Sequence, residues 1–144
     1  MRDNHRTAVP PCRILSADDD HVTRELLRAG LTRQGHKVEF AVNGAEALDR
    51  LRTMEFDLVL MDVQMPFMDG VEATRRIREL PPPVGNIPII GLTADVLATE
   101  VRTYVCAGMN ECIPKPIDWH RLADTIARHM PQKPIPDVPA DCPP

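Results

Sequence analysis

Side chains that could bind a metal ion or transfer charge follow four short apolar runs of this sequence. They are the aspartates at 18–20, Asp62, Thr93 and Lys115, and the runs before them are 12–17, 58–61, 87–92 and 111–113. Runs of this length are too short for a full helix and are typical of buried strands. If these strands lie parallel in one sheet, their carboxyl ends meet at one edge, and all four groups are expected at a single site.

The chemistry of such a site follows from its charges. Three carboxylates in close proximity raise one another's pKa unless a cation compensates them. Oxygen ligands with positions left for water and phosphate favour Mg²⁺ over zinc, with Mn²⁺ as a second candidate. Asp62 could then attack phosphorus as a nucleophile and form an aspartyl phosphate. In that scheme the Lys115 ammonium neutralises charge, and the Thr93 hydroxyl donates a hydrogen bond to a phosphoryl oxygen.

The elements that must position these groups alternate along the chain. The first helix is indicated by Val22, Leu26, Leu27 and Leu31 at helical spacing, with Gly35 as its stop. Another strand is predicted at 36–42, and further helices from Asn43, over 71–80, over 95–107 and from Asp118 to Met130. Five strands that alternate with five helices predict an open parallel sheet with helices on both faces.

Composition excludes several classes of protein. The 144 residues are 43% apolar and 26% charged, which fits one globular domain. The net charge is −4, with acids and bases interspersed, and this argues against direct binding of nucleic acid. No apolar run is long enough to cross a bilayer, and the N-terminus lacks the apolar core of a signal peptide, so we expect no membrane segment and a cytoplasmic location.

The two ends of the sequence differ in composition from its centre. Residues 1–11 are polar and end in two prolines, which predicts a disordered leader. Residues 131–144 include six prolines and are expected to form a tail or linker without a packed element. The folded domain is therefore predicted over residues 12–130.

Five motifs occur in order, each at one end of a predicted strand: four include the carboxyl end, and 108–110 precedes the amino end of the last strand. They are Ile14-Leu15 before Asp18-Asp19, the segment 58–66 with Met68-Asp69-Gly70, the segment 89–94, Gly108-Met109-Asn110, and Lys115-Pro116. On these residues the sequence resembles two-component response-regulator receiver domains, most of all those of hybrid sensor histidine kinases. The resemblance implies a flavodoxin-like (βα)5 three-layer sandwich with a five-stranded parallel sheet in the order 2-1-3-4-5.

The resemblance also implies a function, a phosphoacceptor domain of a phosphorelay rather than a stand-alone enzyme. Asp62 would be the phosphoacceptor; Asp18, Asp19, Asp62 and the backbone carbonyl of Gln64 would hold Mg²⁺; Thr93 and Lys115 would contact the phosphoryl group. The Lys115-Pro116 bond would be cis, as is usual in the family. The donor would be a histidine kinase or a histidine phosphotransfer domain, and an output partner or a fused kinase domain would receive the signal.

Two positions depart from the family pattern or blur it. The triple aspartate leaves the register open by one residue; counting from Ile14-Leu15 favours Asp18 and Asp19 as the acidic pair, with Asp20 as a helix cap. Cys112 stands where many receivers carry Tyr or Phe, and a cysteine is too small for the movement of that ring. The expected switch residues are Thr93 and Cys112, with most of the movement assigned to Thr93 and the loop before Val96.

Other interpretations of the same residues stay open. A phosphatase or phosphotransferase that forms an aspartyl phosphate would want a second acid two residues after the nucleophile, where this chain has Gln64. A receiver-like module that binds partners without phosphorylation is disfavoured by the complete set of site residues. Singly, Lys115 would be read as a surface lysine, and the histidines, including His36, are expected at the surface. The four cysteines lack metal-ligand spacing and are expected to be free thiols.

Overall fold

A computed structural model describes residues 11–94 and 98–129 of the protein, with residues 98 and 99 as backbone only. Its sheet has five parallel strands in the order β2-β1-β3-β4-β5, which confirms the predicted fold class. The predicted tail, the predicted leader up to residue 10, the start of the fourth helix at Asp95 and the end of the last helix at Met130 lie outside the described residues.

Strands and helices alternate strictly in the described parts of the chain. The strands are β1 (Arg13–Ala17), β2 (Lys37–Ala41), β3 (Leu58–Asp62), β4 (Ile89–Thr93) and β5 (Glu111–Pro114). The helices are α1 (His21–Arg33), α2 (Gly44–Thr53), α3 (Gly70–Arg78), α4 (Ala98–Ala107) and α5 (Trp119–His129). A short 3₁₀ turn over Val84–Asn86 follows the prolines at 81–83. No helix within the described ranges is both long enough and apolar enough to cross a bilayer.

The sheet is covered on both faces, so its central strands are apolar throughout. On one face Leu15, Val59 and Ile89 lie side by side in register and belong to one buried cluster. On the other face Leu60 pairs with Ile90 in a second buried cluster, which α1 and α5 complete. Burial on both faces is why these strands are continuous apolar runs rather than alternating ones.

The caps Asp20 and Asn43 and the stop at Gly35 fall where the sequence predicts them, and Asp69 is a further cap that was not predicted. Asp20, Asn43 and Asp69 each accept a hydrogen bond from a backbone N–H in the first turn of α1, α2 and α3. Gly35 and Gly108 have φ of 95° and 118°, the left-handed conformation that follows many helices and favours glycine. These local signals set where each helix begins and ends, and hence the length of each loop at the edge of the sheet.

The apolar pattern that predicts α1 is only half buried, and two expectations about individual residues, His36 and Cys106, are wrong. Only Leu27 and Leu31 of the apolar residues in α1 are buried, whereas Val22 and Leu26 are exposed, because two i, i+4 pairs one residue out of phase cannot share one face. His36 is buried, and its Nδ1 accepts a hydrogen bond of 3.2 Å from the Cys12 N–H. Cys106 is disulfide-bonded, whereas Cys12 and Cys112 are free thiols.

Arg78, at the end of α3, connects three separate segments. Its guanidinium donates to the carbonyls of Gly85 at 3.0 Å, Ile87 at 2.7 Å and Gly108 at 2.9 and 2.8 Å. It also donates to Asn110 Oδ1 at 3.0 Å, which accepts a second bond of 2.8 Å from the Ile89 N–H. Burial lowers the pKa of Arg78 to about 10, so it remains a cation at neutral pH. This side chain holds the entry to β4 against the turn before β5.

Replacing Arg78 with Met is expected to lower the free energy of unfolding by about 3 kcal/mol, because several carbonyls lose a charged donor. Arg76→Met in the same helix is the matched control. It removes only an exposed ion pair with Glu72 at 2.8 Å, so it should cost less than about 1 kcal/mol. Urea denaturation measures both, and equal losses would contradict the role given to Arg78.

His36 makes the fold sensitive to acid. Burial lowers the pKa of His36 below its usual value, whereas the pKa of a histidine in the unfolded chain is about 6.5. As the pH falls below that value, the unfolded chain binds a proton that the folded chain does not, so stability decreases. His36→Asn keeps an acceptor for the Cys12 N–H, and its free energy of unfolding should fall less than that of the wild type between pH 7 and pH 5. Equal losses would refute this assignment.

Candidate functional site

The carboxyl ends of β1, β3, β4 and β5 bring the predicted site residues to one edge of the sheet. Asp18 directly follows β1, Asp62 ends β3, Thr93 ends β4 and Lys115 directly follows β5. The strand register places these ends side by side, with Ala17 opposite Met61, Asp62 opposite Leu92, and Thr93 opposite Pro114. Parallel pairing alone therefore assembles residues that are far apart in sequence.

Lys115 is the centre of the charge arrangement. Its Nζ lies 3.2 Å from Asp62 Oδ1 and 3.3 Å from Asp18 Oδ2. The Asp18 side chain is fully buried and that of Asp62 is 8% exposed, so both carboxylates have lost most of their contact with water. One partly exposed ammonium thus bridges two buried acids.

The Asp62 carboxyl group is harder to ionise than an ordinary aspartate. Burial, and next the charge of Asp18, raise the pKa of Asp62 to about 6, although Lys115 opposes the shift. Burial opposes the ammonium form of Lys115, yet the nearby charges of Asp18 and Asp62 raise its pKa above the usual value. The site therefore carries more negative charge than its own cation neutralises.

Backbone groups fix the orientation of both buried acids. The Asp20 N–H donates to Asp18 Oδ1 at 2.8 Å, and the Gln64 N–H donates to Asp62 Oδ1 at 3.2 Å. Asp20 itself accepts from the Thr23 N–H at 2.9 Å and from the Thr23 hydroxyl at 2.6 Å. Asp20 is therefore occupied as the cap of α1, the role that the sequence predicts for it.

The loop after β3 is held close to the site. The Gly70 N–H donates to the Val63 carbonyl at 2.9 Å, and a Cβ on Gly70 would overlap the Asp62 carbonyl. Only glycine permits this approach of α3 to the end of β3. The Val63 N–H donates to the Leu92 carbonyl at 3.0 Å, which continues the pairing of β3 with β4 past Asp62.

These residues line an open cleft of about 680 Å³. Asp19, Asp62, Gln64, Thr93 and Lys115 all contribute to its wall. The wall also includes Thr23, Met65, Pro66 and Ala94, which the sequence did not mark as site residues. The signal that could have found them is adjacency, because each lies within four residues of a predicted site residue.

Thr93 and Cys112 occupy different surroundings. Thr93 lines the cleft, and its backbone carbonyl accepts a hydrogen bond of 2.8 Å from the Lys115 N–H. Cys112 is not among the residues that line the cleft; its Sγ lies 4.0 Å from Met109 Sδ. Burial, and next the charge of Glu111, raise the pKa of the Cys112 thiol to about 11, so it stays protonated at neutral pH. The structure brings Thr93 to the site and leaves Cys112 in β5, beside Gly91 and Met109.

A Cβ on Gly91 of β4 would lie 2.6 Å from Met109 Sδ and 3.2 Å from Cys112 Sγ. The two sulfur atoms therefore fill the space that a side chain at position 91 would need. The Lys115-Pro116 peptide bond is cis, as the resemblance implies, and the Pro82-Pro83 bond is cis as well.

The acidic residues suit a hard divalent cation. Carboxylate oxygens of Asp18, Asp19 and Asp62 all lie within 4.8 Å of one another. Each ligand atom is an oxygen, two of the three residues are buried, and the cleft leaves room for water and phosphate oxygens. This donor set fits Mg²⁺ rather than zinc.

Comparisons with known proteins agree with the geometry. The profile of the response regulator receiver domain family matches residues 14–127. The chain is 40% identical over 115 residues to the CAI-1 autoinducer sensor kinase/phosphatase CqsS of Vibrio cholerae, covering 80% of this chain and 17% of that protein. It is 36% identical over 118 residues to the signal transduction histidine-protein kinase BarA of Escherichia coli K12, covering 82% and 13% respectively.

A solved structure is similar over nearly its whole length. It is the receiver domain of the sensor histidine kinase PA1611 from Pseudomonas aeruginosa PAO1, with a magnesium ion coordinated in its active site cleft. That domain is 31% identical, aligns with a TM-score of 0.76, and is covered over 96% of its length by 82% of this chain. By contrast, the chain spans less than a fifth of the full-length kinases that it matches.

Asp62→Asn is expected to stabilise the metal-free fold. The pKa of Asp62 is raised to about 6, so its ionised form at pH 7.5 is less stable in the folded chain than in the unfolded one. Removing that charge should raise the free energy of unfolding by about 1–2 kcal/mol in the presence of EDTA. Asp49→Asn, which changes an exposed residue of α2, is the control and should have little effect. A destabilised Asp62→Asn variant would contradict the charge balance described above.

Proposed function

Because this chain belongs to the response regulator receiver domain family, we propose that it accepts a phosphoryl group on Asp62 from a phosphohistidine of a partner protein. The observation that carries this proposal is the position of Asp62. Its carboxylate is buried at the end of β3, 3.2 Å from the Lys115 ammonium and beside two further carboxylates. A structural salt bridge would not need the second and third acid, whereas a phosphoryl-transfer site does.

The proposed transfer moves one phosphoryl group between two nucleophiles. An oxygen of Asp62 attacks the phosphorus, the P–O bond forms, and the P–N bond to the donor imidazole breaks. The electron pair of that bond returns to the ring nitrogen, which takes up a proton. Lys115, now 3.2 Å from Asp62, is placed to pair with the phosphoryl oxygens, and the Thr93 hydroxyl donates to another of them.

Asp18, Asp19, Asp62 and the backbone carbonyl of Gln64 would hold the Mg²⁺ ion. When bound, the ion supplies positive charge that offsets the three carboxylates and draws phosphoryl oxygens towards Asp62. The fit of the donor set supports Mg²⁺; Mn²⁺ prefers the same ligands and is the alternative ion. The Asp20 and Gln64 N–H groups keep the acids in place, since each donates to one carboxylate oxygen.

The proposed response is a change in the surface formed by α4, β5 and α5. Thr93 is bonded to Lys115 through the backbone, so a shift of Thr93 towards a phosphoryl group is passed to the end of β5. Cys112 lies in β5 opposite Gly91 of β4 and is too small to move as an aromatic ring would. The expected switch therefore combines movement of Thr93 with adjustment around Cys112.

The proposed donor is a histidine kinase or a histidine phosphotransfer domain, and the response reaches an output partner or a fused kinase domain. The similarity to short regions of sensor kinases supports both, and it supports a place in the cytoplasm, where such a donor would act. We further propose that residues 12–130 form the receiver, with residues 1–11 as leader and 131–144 as linker. Membership of the family supports a signalling domain and not a stand-alone phosphatase. Such an enzyme needs a second acid two residues after the nucleophile, and this chain has Gln64 at that position.

Incubation with acetyl phosphate and Mg²⁺ is expected to add one base-labile phosphoryl group to the wild type and none to Asp62→Asn. Intact mass spectrometry before and after base treatment decides this. Asp69→Asn is the matched control, because Asp69 lies in the same loop but caps α3 instead of facing the cleft, and it should be labelled normally. Equal labelling of the Asp62 variant, or none in any protein, would remove the phosphoacceptor assignment.

Mg²⁺ at about one hundred times its dissociation constant should stabilise the wild type by about 2.7 kcal/mol, since only the folded chain holds the three acids together. Asp18→Asn should lose most of this gain, while Asp49→Asn keeps it. Thermal unfolding with increasing Mg²⁺, reversed by EDTA, measures the effect. If Asp18→Asn gains as much as the wild type, the ion does not bind at these acids.

A further inference from the structure

Phe67, in the loop between β3 and α3, is 96% exposed. The other exposed large apolar residues in the described ranges are Val22 at 63%, Leu26 at 59% and Val42 at 40%. A phenylalanine this exposed contributes almost nothing to the packing of the domain. Large exposed apolar side chains are a common mark of binding surfaces when they are not scattered by chance.

The backbone at Phe67 argues against chance. Its φ is 67°, and it is the only non-glycine residue in the described ranges with a positive φ. The Met68 N–H donates to the Pro66 carbonyl at 2.7 Å, so Phe67 is the central residue of a γ-turn with positive φ, a rare and strained turn. Asn or Gly adopts this conformation at lower cost. Strain of this kind persists where it serves a function.

The turn is rigid on both sides. Met65 is buried on one side, and on the other the Met68 carbonyl accepts a hydrogen bond of 3.0 Å from the Gly44 N–H. Asp69 caps α3 through the Glu72 N–H at 2.9 Å. The residues on both sides of Phe67 are therefore fixed while its side chain projects into solvent. Little conformational freedom of the backbone would be lost if a partner covered it.

The loop that carries Phe67 adjoins the cleft that contains Asp62. Met65 and Pro66, the two residues before Phe67, line the same cleft as Asp62. Any protein that brings a phosphohistidine to Asp62 must cover this rim of the cleft. The cleft interior is polar and charged, so an apolar side chain at its edge offers a contact that the reacting groups themselves do not provide.

We propose that Phe67 is an apolar anchor that inserts between side chains of the phosphodonor protein beside its phosphohistidine. This inference rests on the proposed function, because it assigns a partner contact to the same site. The donor surface that fits is an apolar groove next to the histidine. Buried aromatic anchors on rigid supports are typical of interface hot spots.

Phosphotransfer kinetics test the anchor. The donor is whichever histidine kinase or histidine phosphotransfer protein of the source organism labels the wild-type chain fastest. With that donor, Phe67→Asn should raise KM about tenfold or more, the change that corresponds to about 1.4 kcal/mol. The rate at saturating donor and the labelling by acetyl phosphate should not change, because Phe67 is not among the residues that line the cleft around Asp62. Phe67→Leu, which keeps an apolar side chain, should retain most of the affinity.

Two controls separate docking from folding. Asn is favoured at positive φ, so Phe67→Asn should unfold at the same or a higher urea concentration than the wild type. Val42→Asn removes another exposed apolar residue, next to the edge strand β2, and should change KM by less than about twofold. A wild-type KM in Phe67→Asn, or an equal rise in Val42→Asn, would overturn the anchor. Failure of every donor and of acetyl phosphate to label the wild type would instead overturn the proposed function, and the anchor with it.

Discussion

The ion bridge from Lys115 to Asp18 and Asp62 is the interaction on which the rest of the site depends. Two buried carboxylates at the ends of neighbouring strands repel each other, and a single ammonium at 3.2 and 3.3 Å partly compensates them. Burial, and next the charge of Asp18, still raise the pKa of Asp62 to about 6 although Lys115 opposes the shift. A cation bound beside these carboxylates would offset negative charge that Lys115 alone does not balance, and so relieve a cost that the folded chain carries alone.

The sheet explains how such a cost can be tolerated. The apolar centres of β1, β3 and β4 are buried on both faces, so the stability of the domain comes from the layers away from the edge. Arg78 adds a second support, because it ties the end of α3 to the segments before β4 and β5 through neutral acceptors. The functional edge can then hold strained and like-charged groups without losing the fold.

Much of this arrangement was predictable because it is local. Short apolar runs, capping residues such as Asp20 and Asn43, and stops such as Gly35 each act within a few residues, and the parallel order then brings the strand ends together. The exceptions depend on contacts between distant segments. Nothing near His36 in sequence indicates that Cys12 will cover it, and the acceptors of Arg78 lie on loops up to 32 residues away.

Which apolar side chains of α1 are buried, and the conformation of the loop after β3, depend on distant contacts in the same way. Val22 and Leu26 fit a helical apolar pattern, but only the positions of the neighbouring helices decide which apolar stripe is covered. The φ of Phe67 follows from how the loop is held at Met68 and Gly70, a constraint that residue type does not encode. Aspartate runs and strand ends identify the chemistry, whereas tertiary contacts decide how a partner meets it.

The space left by the missing side chain of Gly91, two residues before Thr93, affects how the neighbouring packing can respond to movement. A rigid aromatic ring at position 112 would have two discrete positions, one buried and one exposed. Here the space beside Gly91 is filled by the thioether of Met109 and the thiol of Cys112. A methionine side chain can change its conformation by rotation around any of its three rotatable bonds. The packing beside Gly91 is therefore deformable, and we expect the movement proposed for Thr93 to be accompanied by a gradual readjustment of these sulfur atoms instead of an all-or-none exchange of volume.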